Sequence, residues 1–434
     1  MKAIIKAAVL AAAAGGFATQ AFAQDELKLP NMSYRTGPFA ATGTPHQNGQ
    51  LDYMTMLNER DGGINGVKIV FDECETGYNT EKGVECYEKL KAEGALVTQP
   101  WSTGITLQIL PKTNVDQIPM YGPSYGFSAM QDGATFKWAF NAPTSYWDGA
   151  SMILKGISDG NLDSLKDKKI AFLHLDHPYG KEPLPLFNAL AAKHGFTLLP
   201  IPVGLKEMQN QSAQWLQIRR ERPDFVIMWG WGAMNAGAIT EAAKTRYPMN
   251  QFVSVWWGAH EPDLKLVGEQ GKGYRALTWN VANADSTVMQ DIKKHVVDAG
   301  KSQVNKDSGE FEGHAYHRGV MMSVILAEAV KAAQAHAGTN KLTREQLRWG
   351  LENVNLDEAK LKELGLEGMI GPFKTSCQNH TGNAGAWMIE WDGTKFVKVS
   401  DMLTADRAEI DPLVKEEAAK YAAANQPWTT QTCQ

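Results

Sequence analysis

The sequence predicts an α/β protein built as two doubly wound lobes joined by a three-connection hinge. Three observations carry this. Strand-like and helix-like stretches alternate regularly from residue 27 to 126, the mark of a parallel sheet with helices on its faces. The alternation restarts after Ala142-Pro143 and runs to residue 280. Finally, about 410 residues follow the N-terminal leader, more than one core usually supports.

The leader comes first. Lys2 and Lys6 precede an apolar run, and Ala21-Phe22-Ala23 is an A-x-A cleavage site, so residues 1–23 read as a signal peptide cut after Ala23. The mature chain is then expected to be exported to an oxidising compartment. Nothing later in the sequence is long and apolar enough to span a bilayer. A net charge of −5 with both signs interspersed argues against nucleic acid and against a polybasic membrane surface.

Residues 27–34 are extended. A loop of turn formers follows over 35–45, then an amphipathic helix over 46–60 that Gly62-Gly63 stops. A strand is expected at 67–72, a helix at 81–93, a chain end at 94–97, a short helix at 106–113 and a strand at 118–121. Beyond Pro143 come a helix at 146–157, a strand at 169–175, a helix at 183–194 and a strand at 197–203. A helix at 213–220, a strand at 225–229, a helix at 233–245 and strands at 252–256 and 274–279 complete the second alternation. Helices follow at 288–299, 314–336 and 344–352, then strands at 371–376, 385–391 and 396–399, and a tail helix at 412–424. Late helices followed by late strands imply that the chain recrosses, near 141–144, 280–284 and 368–372. Lobe 1 is therefore expected as 24–142 plus 283–368, lobe 2 as 143–282 plus 369–400, and 401–434 as a tail packed on the body.

Cys74, Cys86, Cys377 and Cys433 make an even set in an exported chain, which points to two disulfides. Cys74 lies just after a strand and Cys86 early in the next helix, which favours Cys74–Cys86. Cys377–Cys433 would then tie the tail to the body.

Two hydroxyl-rich turns stand beyond expected strand ends, where an open parallel sheet presents its ligand site. One is Trp101-Ser102-Thr103-Gly104. The other is Gly122-Pro123-Ser124-Tyr125-Gly126. The second matches the G-x-S-x-G nucleophile elbow, which would make the chain a serine hydrolase using Ser124. That elbow needs a long helix directly after it, and 127–134 is polar and turn-rich. Trp231 and Tyr179 stand past the ends of later strands. Of the neighbours Trp256 and Trp257, which face opposite ways on a strand, Trp257 is assigned to the cleft and Trp256 to the core. Tyr146 and Trp147 open the helix after the first crossing, and Tyr146 joins the candidate site. His174, His177 and Cys377-x-x-His380 lack the further ligands a metal needs, so no metal and no cofactor are expected. Thirteen tryptophans, many at loop edges, suit a flat or apolar ligand with one polar end, or a quaternary cation.

These residues resemble the type I periplasmic binding proteins, in the branch that includes the leucine–isoleucine–valine-binding proteins of ABC importers. The resemblance is carried by Gly37-Pro38-Phe39-Ala40 with Gly43, the run ERDGGINGV at 59–67, and Asp72 before Cys74. It continues in Trp101-Ser102-Thr103, in 120–125, in Tyr179-Gly180, and in Asp224-Phe225-Val226 leading to Trp231. It implies closure of two lobes over a small-molecule ligand and delivery to membrane permease subunits by a non-enzymatic protein, here expected as a monomer. A ligand-sensing subunit of a receptor is the alternative within binding proteins. It also implies that Ser102, Thr103, Ser124, Tyr125 and Gly126 hold an amino acid's charged groups, and that Tyr179, Trp231 and an acidic residue answer from lobe 2. The sequence departs at Gly126, where a hydroxyl is usual. It departs again at Trp257-Gly258, where the acid is expected and Glu261 stands only further on. Cys74–Cys86 would be a variant of the family's first disulfide. An amino acid and an aromatic or hydrophobic carboxylate-like solute both remain open as ligands.

Overall fold

The computed structural model describes residues 26–433, so the signal-peptide expectation lies outside the described residues. Two α/β lobes are built around parallel sheets. In the first, backbone hydrogen bonds connect segments in the order 69–75, 27–33, 96–100, 119–122, 139–141. The strands proper are short; Glu73–Glu75 beside Asn31–Ser33 was not anticipated from sequence. The second sheet has seven strands. Lys169–Leu175 and Phe225–Trp229 sit inside it and are almost wholly buried, as their unbroken apolar runs require. Thr197–Val203 lies at one edge, the place where Pro200 and Pro202 lose no ladder bond on the open side. Trp387–Trp391 and Phe396–Lys398 add antiparallel to the far edge beyond Arg275–Thr278.

Helix boundaries moved where proline or capping decides them. The first helix is Ala40–Asp61, six residues longer at its start than expected, with Pro45 tolerated near its beginning. The helix expected at 106–113 is Thr103–Asp116, so Thr103 is helical rather than part of a loop. The tail helix, Arg407–Ala424, likewise begins before Pro412. Tyr146–Ile157 matches, set by a capping box between Ser145 and Asp148. Asn355–Leu356 and helix Glu358–Glu363 were not anticipated.

Helix His314–Ala337 packs along Ala40–Asp61 and so belongs with the first sheet. Both close approaches between these helices are at glycine: a Cβ on Gly49 would meet the Tyr316 carbonyl at 2.1 Å, and one on Gly319 the His46 carbonyl at 2.0 Å. Asn280 bridges Ile370, and Ala384 N–H donates to the Pro143 carbonyl at 2.8 Å, so the three passes lie side by side. Between the last two points the chain does not go straight to lobe 2. Phe373–Lys374 pairs with Asn355–Leu356, and His380 bonds Gln131 and Ala139, so 373–383 lies on lobe 1 elements. The third crossing is therefore completed near Ala384, later than the expected 368–372. Both expected disulfides are formed, Cys74–Cys86 and Cys377–Cys433. The second fastens a tail whose Trp428 Nε1 donates to the Thr135 carbonyl.

Candidate ligand-binding site

The turn at Trp101 sits where segment 96–100 ends and helix Thr103–Asp116 begins. Ser102 is the N-cap, yet its hydroxyl makes no capping bond, although a capping serine ordinarily accepts from the second or third helical N–H. Ser102 Oγ and Thr103 Oγ1 are both buried without a hydrogen-bond partner. The turn at Ser124 follows strand Met120–Tyr121. Its Ser124 has φ +55°, a left-handed conformation that a non-glycine residue holds only when its surroundings impose it. Ser124 Oγ is also buried and unpartnered. Gly126 has φ +81°, and a Cβ there would sit 2.8 Å from Thr106 Cγ2. Backbone geometry and packing therefore disfavour the side-chain hydroxyl that the resemblance leads one to look for. After the turn comes only a short 3-10 turn, Ser128–Gln131, so the structural context of a nucleophile elbow is missing.

An aromatic cluster joins these turns to the second sheet. Tyr125 lies 5.3 Å from Trp101 and 4.6 Å from Trp257, ring centre to ring centre, and Trp257 lies 4.8 Å from Trp231. Trp257 Nε1 donates to the Tyr146 hydroxyl at 3.0 Å, and Tyr179 OH donates to the Gly230 carbonyl at 2.9 Å. Trp256 stacks on Tyr146 on the lobe 2 side. The indole N–H groups of Trp101 and Trp231 have no acceptor. All ten predicted site residues are thus near one seam, with Gly126 at its back rather than on its face.

Sequence reasoning missed four further residues here. Tyr34, at the end of the first strand, shares a 2.7 Å hydrogen bond with Tyr125 OH and faces the Trp231 indole without reaching hydrogen-bond geometry. Tyr78 stands in the same relation to Ser102. His46 lies edge-on to Trp101 at 4.4 Å. Arg318, 1% exposed, reaches from the long lobe 1 helix to lobe 2. Its Nε donates to Asn280 Oδ1 at 2.9 Å, its Nη2 to Thr278 Oγ1 at 3.4 Å, and its guanidinium sits 5.0 Å from the Trp257 ring centre. Tyr34 could have been found by the strand-end rule that found Trp231. Arg318, mid-helix and far along the chain, gave no such signal.

Burial keeps the hydroxyls of Tyr34, Tyr125, Tyr146 and Tyr179 protonated by pushing their pKa values well up. Burial lowers Arg318 only to about 10, so it stays a cation at neutral pH. Burial and the nearby Arg318 charge push His46 well below its usual range, so it is neutral there. Burial alone would raise Glu261, but His314 Nδ1 at 2.5 Å holds that carboxyl at about 2.

The lobes are closed on each other. Ala233 N–H donates to the Pro38 carbonyl at 3.1 Å, and Ser128 N–H to Glu182 Oε1 at 2.7 Å. Beside the seam, a cavity of about 710 Å³ remains between the start of helix Ala40–Asp61, Ala315 and the lobe 2 residues Ala236 and Leu266. Elsewhere His177 accepts from Tyr179 N–H, and His174 Nδ1 lies 3.1 Å from the Leu175 carbonyl.

Known proteins share this fold. A crystal structure described as an ABC transporter permease from the Pseudomonas fluorescens group is 36% identical, with a TM-score of 0.86 over 95% of this chain and 100% of that one. A branched-chain amino acid ABC transporter structure from Thermus thermophilus, with bound valine, shares the fold at 20% identity and a TM-score of 0.76, covering 90% of this chain and 99% of that one. A Leu/Ile/Val-binding protein homologue of Brucella melitensis is 27% identical over 188 residues, 43% of this chain and 49% of that relative, so the match spans about half the relative's length. The family model described as periplasmic binding protein matches residues 26–395, and the chain belongs to that family.

Proposed function

We propose that the protein is the periplasmic solute-binding component of an ABC importer, taking a small organic solute between its lobes and presenting the closed form to membrane permease subunits. The observation that carries this is a set of buried, unpartnered polar atoms drawn from both sides of one seam: Trp101 Nε1, Ser102 Oγ, Thr103 Oγ1, Ser124 Oγ and Trp231 Nε1. A buried donor left unpaired costs about 1–3 kcal/mol, and five together make sense as partners of a guest. The names of the relatives, one a Leu/Ile/Val-binding homologue and one a transporter with bound valine, support the transport class. Ser102, Thr103 and Ser124 then fix the polar end of the solute, while Trp101, Tyr125, Tyr146, Tyr179, Trp231 and Trp257 clasp its body. Gly126 lets the second turn close behind them.

The lobes that move are 24–142 with 283–368 and 143–282 with 369–400, apart from the excursion of 373–383. Export is through the leader, and the working unit is a monomer without chemistry of its own. The serine-hydrolase alternative is disfavoured because Ser124 Oγ makes no hydrogen bond to any base among the described residues.

A thermal-shift screen of branched-chain amino acids, amides, aromatic acids and quaternary amines tests the proposal. A solute at a hundred times its Kd adds about 2.7 kcal/mol of stability. Ester turnover that Ser124→Ala abolishes would overturn it in favour of the hydrolase.

A further inference from the structure

The five unpartnered atoms named above can all donate a hydrogen bond, and the two indole nitrogens can do nothing else; the unpartnered oxygens beside them include Glu182 Oε2, Asn141 Oδ1 and Asn235 Oδ1. Tyr146 OH accepts from Trp257, so its own proton is also free to be donated. Behind these groups stands Arg318, a cation 1% exposed, held by two neutral oxygens only. No carboxylate among the described residues forms an ion pair with it; the bonds it makes are those of Nε and Nη2. Charges buried in proteins are ordinarily paired. Glu261 is the acid whose charge acts most on Arg318, but its carboxylate is taken by the side chain and backbone N–H of His314. Asp263 is likewise turned to His260, at 3.1 Å. The second ring contact of the guanidinium, Trp279 at 6.0 Å, brings no anion.

The same geometry is hostile to an ammonium group. An ammonium needs acceptors, and beside the fixed positive charge the seam offers carbonyl and hydroxyl oxygens and the carboxyl of Glu182, which burial pushes up to about 8 and so keeps largely protonated at neutral pH. Room for an apolar body does exist nearby. The wall of the cavity beside the seam includes Ala315, which lies one turn before Arg318 on the same helix.

Resting on the solute-binding function proposed above, we propose that the solute is an organic carboxylate without an ammonium group, a flat or aromatic monocarboxylate whose charge Arg318 balances. The indole and hydroxyl donors of the two turns then orient that carboxylate. Arg318 is thus a specificity-determining residue, which selects anions over amino acids and over neutral isosteres.

The test is calorimetric titration of the full mature chain with three probe classes: benzoate and phenylpropanoate, their primary amides, and the amino acids valine, leucine and phenylalanine. The wild type should bind a carboxylate and bind its amide roughly a hundredfold more weakly or worse, since the amide leaves a buried charge unpaired. Arg318→Gln should lose roughly a hundredfold or more for the carboxylate and under about fivefold for the amide, with Arg318→Lys in between. The comparison of carboxylate with amide on the wild type needs no variant, so the inference stays open to refutation even if Arg318→Gln fails to fold. Amino acids binding in preference to the carboxylates would overturn it while leaving the solute-binding function intact. So would equal losses for carboxylate and amide in Arg318→Gln, which would make Arg318 a hinge tether only. If no class binds and scattering shows no compaction with any probe, the solute-binding function falls as well.

Discussion

Gly232 is where closure is most exposed to a single substitution. It has φ +57°, and a Cβ there would lie 2.7 Å from the Pro38 carbonyl oxygen and 2.9 Å from Phe39 Cα, both on the opposite lobe. Gly232→Ala therefore acts twice. The backbone strain, about 1–3 kcal/mol, is internal to lobe 2 and weakens open and closed forms alike. The clash exists only when the lobes meet. Restoring an ordinary 3.4 Å contact from 2.7 Å means parting the seam by about 0.7 Å (3.4 − 2.7). That stretches the 3.1 Å bond from Ala233 N–H to the Pro38 carbonyl, which contributes about 1 kcal/mol, and loosens the packing around it. A combined loss of about 1.4–3 kcal/mol corresponds to a 10- to 100-fold weaker Kd. The assay is titration with the strongest ligand from the thermal screen, beside melting of the ligand-free protein and small-angle scattering with saturating ligand. Gly66→Ala is the control, since Gly66 has φ +78° with nothing within 4 Å of its Cβ position: it should lower melting and leave the Kd unchanged. A Gly232→Ala protein that binds and compacts like the wild type would refute the idea that this seam must close to hold the ligand.

Three more expectations follow from the same geometry. Trp101→Phe removes an unpaired buried N–H together with one ring of a fully buried indole, so it should lower ligand-free melting through the cavity it leaves and also weaken ligand binding by roughly 1–2 kcal/mol; unchanged affinity in a folded variant would contradict it. Burial raises Glu182 from 4.5 to about 8, and its Oε1 accepts from Ser128 across the seam, so the closed form retains a proton that the open form loses above pH 4.5. Closure then weakens as pH rises through that window, by at most tenfold per pH unit and by roughly tenfold or more in all between pH 6 and 8; Glu182→Gln should flatten the dependence of Kd on pH, and an equally steep profile in that variant would exclude Glu182 as its source. Replacing Cys377 and Cys433 together by serine opens a link with a sequence separation of 56, which should lower stability by about 2–4 kcal/mol in denaturant melts without changing affinity, since the bridge ties the tail rather than the seam.

How far the sequence could be read depended on the range of the interaction that decides each feature. Lys169–Leu175, Phe225–Trp229 and the turns at Ser102 and Ser124 announced themselves locally, because a buried parallel strand must be apolar on both faces and the turn after it needs small or hydroxyl residues. The excursion of 373–383 was illegible for the opposite reason. Its strand pairs with Asn355–Leu356 and its His380 bonds Ala139, so its place is set by partners that no local pattern names. Gly126 shows an intermediate case: its departure from the expected hydroxyl was visible in the sequence, while the cause, a left-handed backbone pressed against Thr106, was not. Arg318 is the extreme. On sequence it is one cation within an ordinary helix, and lysines and arginines on helices usually face water. It becomes unusual only when Gly49 and Gly319 let that helix press against Ala40–Asp61 and the second lobe folds over its start, leaving the guanidinium at 1% exposure beside Trp257. The aromatic residues that hold a solute could therefore be listed in advance, whereas the charge that would select it emerges only from packing between segments far apart in the chain.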